Sequence, residues 1–171
     1  MIFCPTSNTG TTGTGSLDGG VVELCPSPLH VAKYYSEIIL NGNLVIPPQK
    51  PPKEHIVKAT QQIILKDVQV LTVTLPDGTV AGNKIIVAGM VSLSIQYLAE
   101  VPDQKVHHVH YDLPFTGIIM GDCGELIPSN DVIFPDNFVV HICVEKVRLA
   151  QINNRTLSKE IVLMLWVEPK Q

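Results

Sequence analysis

The chain is predicted to be all-β: an antiparallel β-sandwich or jelly-roll-like domain carrying a flexible N-terminal arm. Three observations lead there. Apolar and polar residues alternate with period two in several separate segments. Hydrophobic residues make up 45% of the chain but aromatics only 5%, so a core must be built from Val, Ile and Leu. Twelve glycines and thirteen prolines supply turns between strands. A length of 171 residues fits one domain with an appendage.

The elements follow in order. Met1 to Cys4 is a short apolar hook, and residues 6–16 use only Thr, Gly, Ser and Asn. Such a segment offers no core side chain, so residues 1–20 form a connector arm and residues 21–171 the β domain. Gly10, Gly13 and Gly15 do not make a dinucleotide loop, because no strand precedes them. Leu29 to Leu40 mixes β-branched and aromatic residues and is either helix or strand. Pro47, Pro48, Pro51 and Pro52 make the segment from Ile46 to Lys53 a stiff extended connector. A long strand, Gln62 to Leu75, ends at Pro76-Asp77-Gly78, a hairpin signal. After it, Ile85, Val87, Gly89, Val91, Leu93, Ile95 and Tyr97 share one face, with Ser92, Ser94 and Gln96 opposite. Val106 to Ile119 is expected as a strand broken or bulged at Pro114 and Gly117. Phe138, Val140, Ile142 and Val144 point inward, opposite His141, Cys143 and Glu145. The final strand carries Ile161, Leu163, Leu165 and Val167 on one side and Val162, Met164 and Trp166 on the other, so both faces should be covered.

Charge and composition narrow the function. Charged residues are 16% and the net charge is -4, which excludes a solvated tail protein and leaves a self-associating surface open. The absence of a basic stripe argues against nucleic acid, and no 18-residue apolar run exists to insert in a membrane. Neither a basic n-region nor an apolar h-region opens the chain, so the expectation is either use without secretion or a chain in mature form. Catalysis lacks a signature: there is no G-x-S-x-G, no H-E-x-x-H and no Walker loop. Cys143 and His141, at i and i+2, are a chance pairing in a chain with six histidines. No enzyme and no cofactor are expected. His108, His110 and Asp112 alternate beside His107 and could ligate a divalent metal, or they form the solvent face of a strand with Val109, Tyr111 and Leu113 inward. Without a ligand from a neighbouring strand, no metal is assigned.

The cysteines are Cys4, Cys25, Cys123 and Cys143, and none forms a C-x-x-C pair. One lies in the arm and three in the body, so full oxidation requires at least one body cysteine to pair with the arm or another chain. Cys143 is expected near the surface, and Cys123 lies in an accessible turn, Gly121 to Gly124. The alternatives are reduced, packed thiols or metal and redox chemistry. From Cys4 to Val21 the arm spans about 55–60 Å when extended. A body of this size is about 40 Å across. The arm can therefore cross one subunit and dock on the next.

From about Lys33 to Pro169 the chain resembles the SPOCS domain of sporulation and spore-coat proteins. The similarity lies in the Ile46–Pro52 connector, the Lys84–Val91 strand, the string Val109-His110-Tyr111-Asp112-Leu113-Pro114-Phe115 and the closing Leu163–Val167 strand. That resemblance implies an assembly and interaction module with a spore-surface structural role and no enzymatic residues to transfer. In layout the hook, linker and β domain resemble subunits of disulfide-linked endospore appendage fibres, jelly rolls whose N-terminal connector carries cysteine into a neighbour. The expected protein is thus a structural subunit that polymerises with itself through its arm and intersubunit disulfides. Its expected place is the spore surface or an extracellular fibre, made in the mother cell and released by lysis. The alternative is a monomeric spore-coat adapter binding another coat protein through its β domain. A metal-binding or hydrolytic β domain is the third.

Overall fold

A computed structural model of the chain describes residues 16–17, 32–103 and 105–171. Seven strands occur among them: β1 (Ser16–Leu17), β2 (Tyr34–Val45), β3 (Lys53–Thr74), β4 (Val80–Ala99), β5 (Val106–Ile119), β6 (Phe138–Gln151) and β7 (Thr156–Pro169). They form two sheets, ordered β1-β6-β7-β2 and β3-β4-β5. All pairings are antiparallel except the two-residue β1, which runs parallel to β6. Consecutive strands within each sheet are joined as hairpins, and the two sheets pack together as a sandwich.

The core is built by the two central strands. Ile85, Val87, Val91, Leu93, Ile95 and Tyr97 of β4 are wholly buried, as are Ile161, Leu163 and Leu165 of β7. Each such aliphatic side chain contributes roughly 1.5–3 kcal/mol on leaving water. Gly89 interrupts the β4 row because the space is taken: a Cβ there would lie 2.5 Å from the Phe115 ring and 2.7 Å from the Ile64 carbonyl oxygen. The outward side chains of β7, Val162, Met164 and Trp166, are half-buried.

The turns follow their residue chemistry. At the β3–β4 hairpin Asp77 Oδ1 accepts from the Thr79 N–H at 2.9 Å, and Gly78 takes the positive φ of 87° that the turn requires. The proline connector carries the chain from β2 in one sheet to β3 in the other. Arg155, in the β6–β7 turn, holds it by donating to the Pro47 and Lys50 carbonyls at 3.3 and 3.0 Å. Tyr97, buried under it, donates its hydroxyl to the Pro51 carbonyl at 3.0 Å.

One open alternative is resolved and several expectations are corrected. Within Leu29–Leu40, the described residues from Tyr34 onward are strand, paired along their whole length with β7 from Tyr34–Val167 to Val45–Thr156. β3 begins nine residues earlier than Gln62, at Lys53, and tolerates this length through bulges at Glu54, Val57 and Lys66. β5 is neither broken nor bulged: its register with β4 runs without a shift from Ile85–Ile119 to Leu98–Val106. As an edge strand it accepts Pro114, and Gly117 gives room to the other sheet, since a Cβ there would lie 2.5 Å from Ile38 Cδ1. Ser16 and Leu17, inside the expected arm, pair with Arg148 and Leu149 on the edge of β6. The rest of the arm, including Cys4, and Cys25 beyond it lie outside the described residues.

Candidate functional site

Cys123 and Cys143 sit at one end of the sandwich. Tyr35 of β2 bridges to Met120 just after β5 and pairs with Trp166, which pairs in turn with His141 of β6. Met120, Tyr35, Trp166 and His141 therefore make one row, about 14 Å across its three strand spacings. Cys123 follows Met120 by three residues and Cys143 follows His141 by two. Cys123 occupies the short 3-10 turn Asp122–Gly124 and is exposed, with φ 56°, ψ 21°. It is the one non-glycine residue with positive φ among the described residues, a conformation costing roughly 1–2 kcal/mol. Cys143 points away from the core, as alternation predicts, but is only 4% exposed rather than near the surface. Alternation fixes which way a side chain points and cannot say what lies over that face. Neither cysteine is a free thiol.

The surface beside Cys143 is polar and engaged. His141 stacks on Trp166 at 5.1 Å and 19° and lies 3.4 Å from Glu168 Oε2, while Trp166 Nε1 donates to Glu168 Oε1 at 3.3 Å. Glu145 occupies a bulge opposite β7; burial, aided by the neighbouring Glu37 carboxylate, pushes its pKa above the usual value. With no thiolate at Cys143 and His141 stacked and paired, the two do not form an activated nucleophile.

On the opposite sheet His108, His110 and Asp112 are exposed and Val109 is buried, with Tyr111 and Leu113 half-buried on its side. His110 Nε2 lies 2.9 Å from Asp112 Oδ1 and 3.1 Å from Ser92 Oγ, and Ser92 donates to Asp112 at 3.2 Å. These are the residue types of a hydrolytic triad in the wrong arrangement. A relay needs serine and carboxylate on different ring nitrogens, and here both address Nε2. Among the described residues no group of three His, Cys, Asp or Glu is placed to hold a metal ion.

A polar cluster around a largely buried carboxylate was not found from the sequence. Asp131 accepts from Lys33 Nζ at 2.7 Å, the Tyr34 hydroxyl at 2.5 Å and the Ile133 N–H at 3.3 Å. Its side chain is 8% exposed. Burial opposes ionisation, but the hydrogen bonds from Lys33, Tyr34 and Ile133 outweigh it and hold the carboxyl below its usual 3.8. The same residues line a cavity of about 460 Å³ with Pro128, Val132 and Val167. Only the Asx contact with Ile133 has a local signal; Lys33 and Tyr34 are nearly a hundred residues away. Asn83, also buried, accepts from Thr72 at 2.9 Å, donates to Ser129 at 3.3 Å and pairs its backbone with Ile127, tying this loop to β4.

The clusters that resemble catalytic groups are thus bonded among themselves, and the molecule is a β-sandwich organised around packing. Residues 54–132 match the SipL, SPOCS domain family model. The match takes in the sheet β3-β4-β5 from the second residue of β3, with the loop carrying Cys123 and Asp131; β2, β6 and β7 lie outside it. The family is a non-catalytic structural or sporulation domain, which points to a sporulation-related protein. No curated protein and no solved structure matches the chain. Among the described residues no helix is long and apolar enough to cross a membrane.

Proposed function

We propose that the chain is a structural subunit that self-assembles into a spore-surface or extracellular fibre, linked by its N-terminal arm and by disulfides between subunits. The observation that carries this reading is the placement of Cys123 and Cys143: both lie at one end of the sandwich, within reach of a single incoming segment. The pairing of Ser16 and Leu17 with the edge of β6 supports it too, because an edge that takes arm backbone from its own chain can take it from a neighbour. Cys4 is the arm's thiol, and Cys25, Cys123 and Cys143 are its candidate partners.

Non-reducing gel electrophoresis of wild type and Cys4→Ser after boiling in detergent tests the covalent link. The wild type should form a ladder that collapses with reductant, and Cys4→Ser should lose its covalent steps while keeping its far-ultraviolet spectrum. Deleting residues 1–20 should abolish assembly and leave the β domain folded, since the described core begins at Tyr34. A wild type running only as an 18.7 kDa monomer without reductant ends the covalent-fibre reading. A non-covalent coat adapter would then be the better account.

A further inference from the structure

We propose that the outer edge of β3 from Val68 to Thr74, with Leu75 just beyond its end, pairs antiparallel with the same segment of a second copy. Among the described residues β3 is the outermost strand of its sheet, so along the strand up to Thr74 every second backbone N–H and C=O points away from β4. The segment is Val-Gln-Val-Leu-Thr-Val-Thr-Leu, with no charge, proline or glycine. Val70 is 40% exposed and Leu71 and Leu75 are each 48% exposed, as is Val80 on the facing strand. Val70 shares the face of its partner Ile85 and Leu71 the face of Lys84, so the hairpin end shows apolar surface on both sides.

Natural edges are usually guarded by charge, proline or bulges. In β3 those guards lie elsewhere. The extra residues Glu54, Val57 and Lys66 fall before the segment, the ladder with β4 runs without a shift from Asp67 to Val73, and the remaining shift, between Val73 and Thr74, places its extra residue, Ala81, on β4. An uncharged edge whose own strand carries no bulge from Asp67 to Val73 suits an equally uncharged extended strand, and this chain carries one. A two-fold axis through Leu71 sets Val70 against Thr72, Gln69 against Val73 and Val68 against Thr74 of the other copy, with no like charges opposed. At each end Lys66 of one copy falls opposite Pro76 of the other, one residue from its Asp77. Asp67, which would otherwise oppose that approach, accepts from Gln69 Nε2 at 2.7 Å. The contact is isologous and closes on itself, joining two three-stranded sheets into one of six strands. It does not use the arm. As a single-strand contact it is at the small end of specific interfaces, so association is concentration-dependent.

Hydrogen exchange of the full chain in reductant, read on the peptide covering Val68–Leu75 across a protein dilution series, tests it directly. Exchange there should slow as concentration rises, with a matching shift in sedimentation. Leu71→Asp opposes two carboxylates at the centre of the contact, with Lys84 across the strand to keep the hairpin intact. It should weaken association by more than about tenfold, as should Leu71→Lys. An equimolar mixture of the two variants should restore it. Exchange over this segment that is independent of wild-type concentration overturns the proposal even if the variants misfold. Folded variants that associate as the wild type does overturn it as well.

Discussion

Replacing Gly89 with alanine tests whether the core is packed as tightly as its geometry indicates. In most strands a glycine-to-alanine change stabilises by about 0.5–1 kcal/mol, through lost chain entropy in the unfolded state. Here the new methyl would lie 2.5 Å from Phe115 Cζ and 2.7 Å from the Ile64 carbonyl oxygen. The ring can tilt. The carbonyl cannot retreat without bending β3 away from β4, because neighbouring Ile63 and Ile64 are both in register with Val91 and Met90. Overpacking of this kind costs about 1–3 kcal/mol. The expected net loss is about 1–2 kcal/mol, a fall in Tm of roughly 3–8 °C for a chain of this length. Gly117→Ala is the matched control: its nearest obstacle, Ile38 Cδ1 at 2.5 Å, is the far end of a flexible side chain. Its Tm should move by less than half as much. Adding Phe115→Leu to Gly89→Ala should recover little, since the Ile64 carbonyl remains. Thermal and urea denaturation followed by circular dichroism measure all four proteins. A Gly89→Ala protein as stable as wild type would refute the claim that β4 and β3 leave no room there.

Two further outcomes rest on charge. Asp131→Asn keeps the shape of the buried group but removes a carboxylate held below 3.8, so the native form should lose about 1.5–3 kcal/mol at pH 7. A depressed carboxyl stabilises above its unfolded pKa and loses that contribution as pH falls through the folded value. Tm curves of wild type and Asp131→Asn should therefore converge below about pH 4, and a constant gap down to pH 2 would contradict the assignment. Glu145 shows the opposite sign: its raised pKa, caused first by burial and then by Glu37, penalises folding as pH rises through it. Glu37→Gln should accordingly stabilise by about 0.2–1 kcal/mol at pH 7 and have no effect once Glu145 is protonated, as Tm measured at pH 7 and pH 4 would reveal.

Much of the sandwich was legible because its central strand obeys a local rule. Every second residue of β4 from Ile85 to Tyr97 is buried, and Asp77-Gly78 marks the turn before it. The misjudged elements depended on neighbours. Pro114 and Gly117 signal a break only if β5 must bond on both sides, and it is an edge. Tyr34–Val45 is ambiguous by propensity and becomes strand because twelve consecutive residues find partners on β7. Cys143 was oriented correctly and its burial missed, since orientation is local and coverage is not. Asp131, Tyr34 and Lys33 meet across 97 and 98 positions of sequence, beyond any motif spacing.

Where such a molecule can bind follows from which polar groups remain available. Ser92, His110 and Asp112 bond one another, Asp131 takes Lys33 and Tyr34, and Asn83 is held by Thr72 and Ser129. Satisfied groups of this kind rigidify a fold and offer little to a ligand. The backbone edges differ. On one side the sandwich nearly closes, because β2 reaches the end of β5 through the Tyr35–Met120 bridge. On the other side β6 already accepts Ser16 and Leu17, and β3 runs 22 residues with only β4 beside it among the described residues. Strand addition at β6 and β3 therefore costs no existing hydrogen bond along β3, whereas a ligand at any of the polar clusters must first displace a partner. That inequality favours assembly through edges over chemistry in a pocket, and it is why the arm and the β3 edge, rather than the histidines, are the features to perturb first.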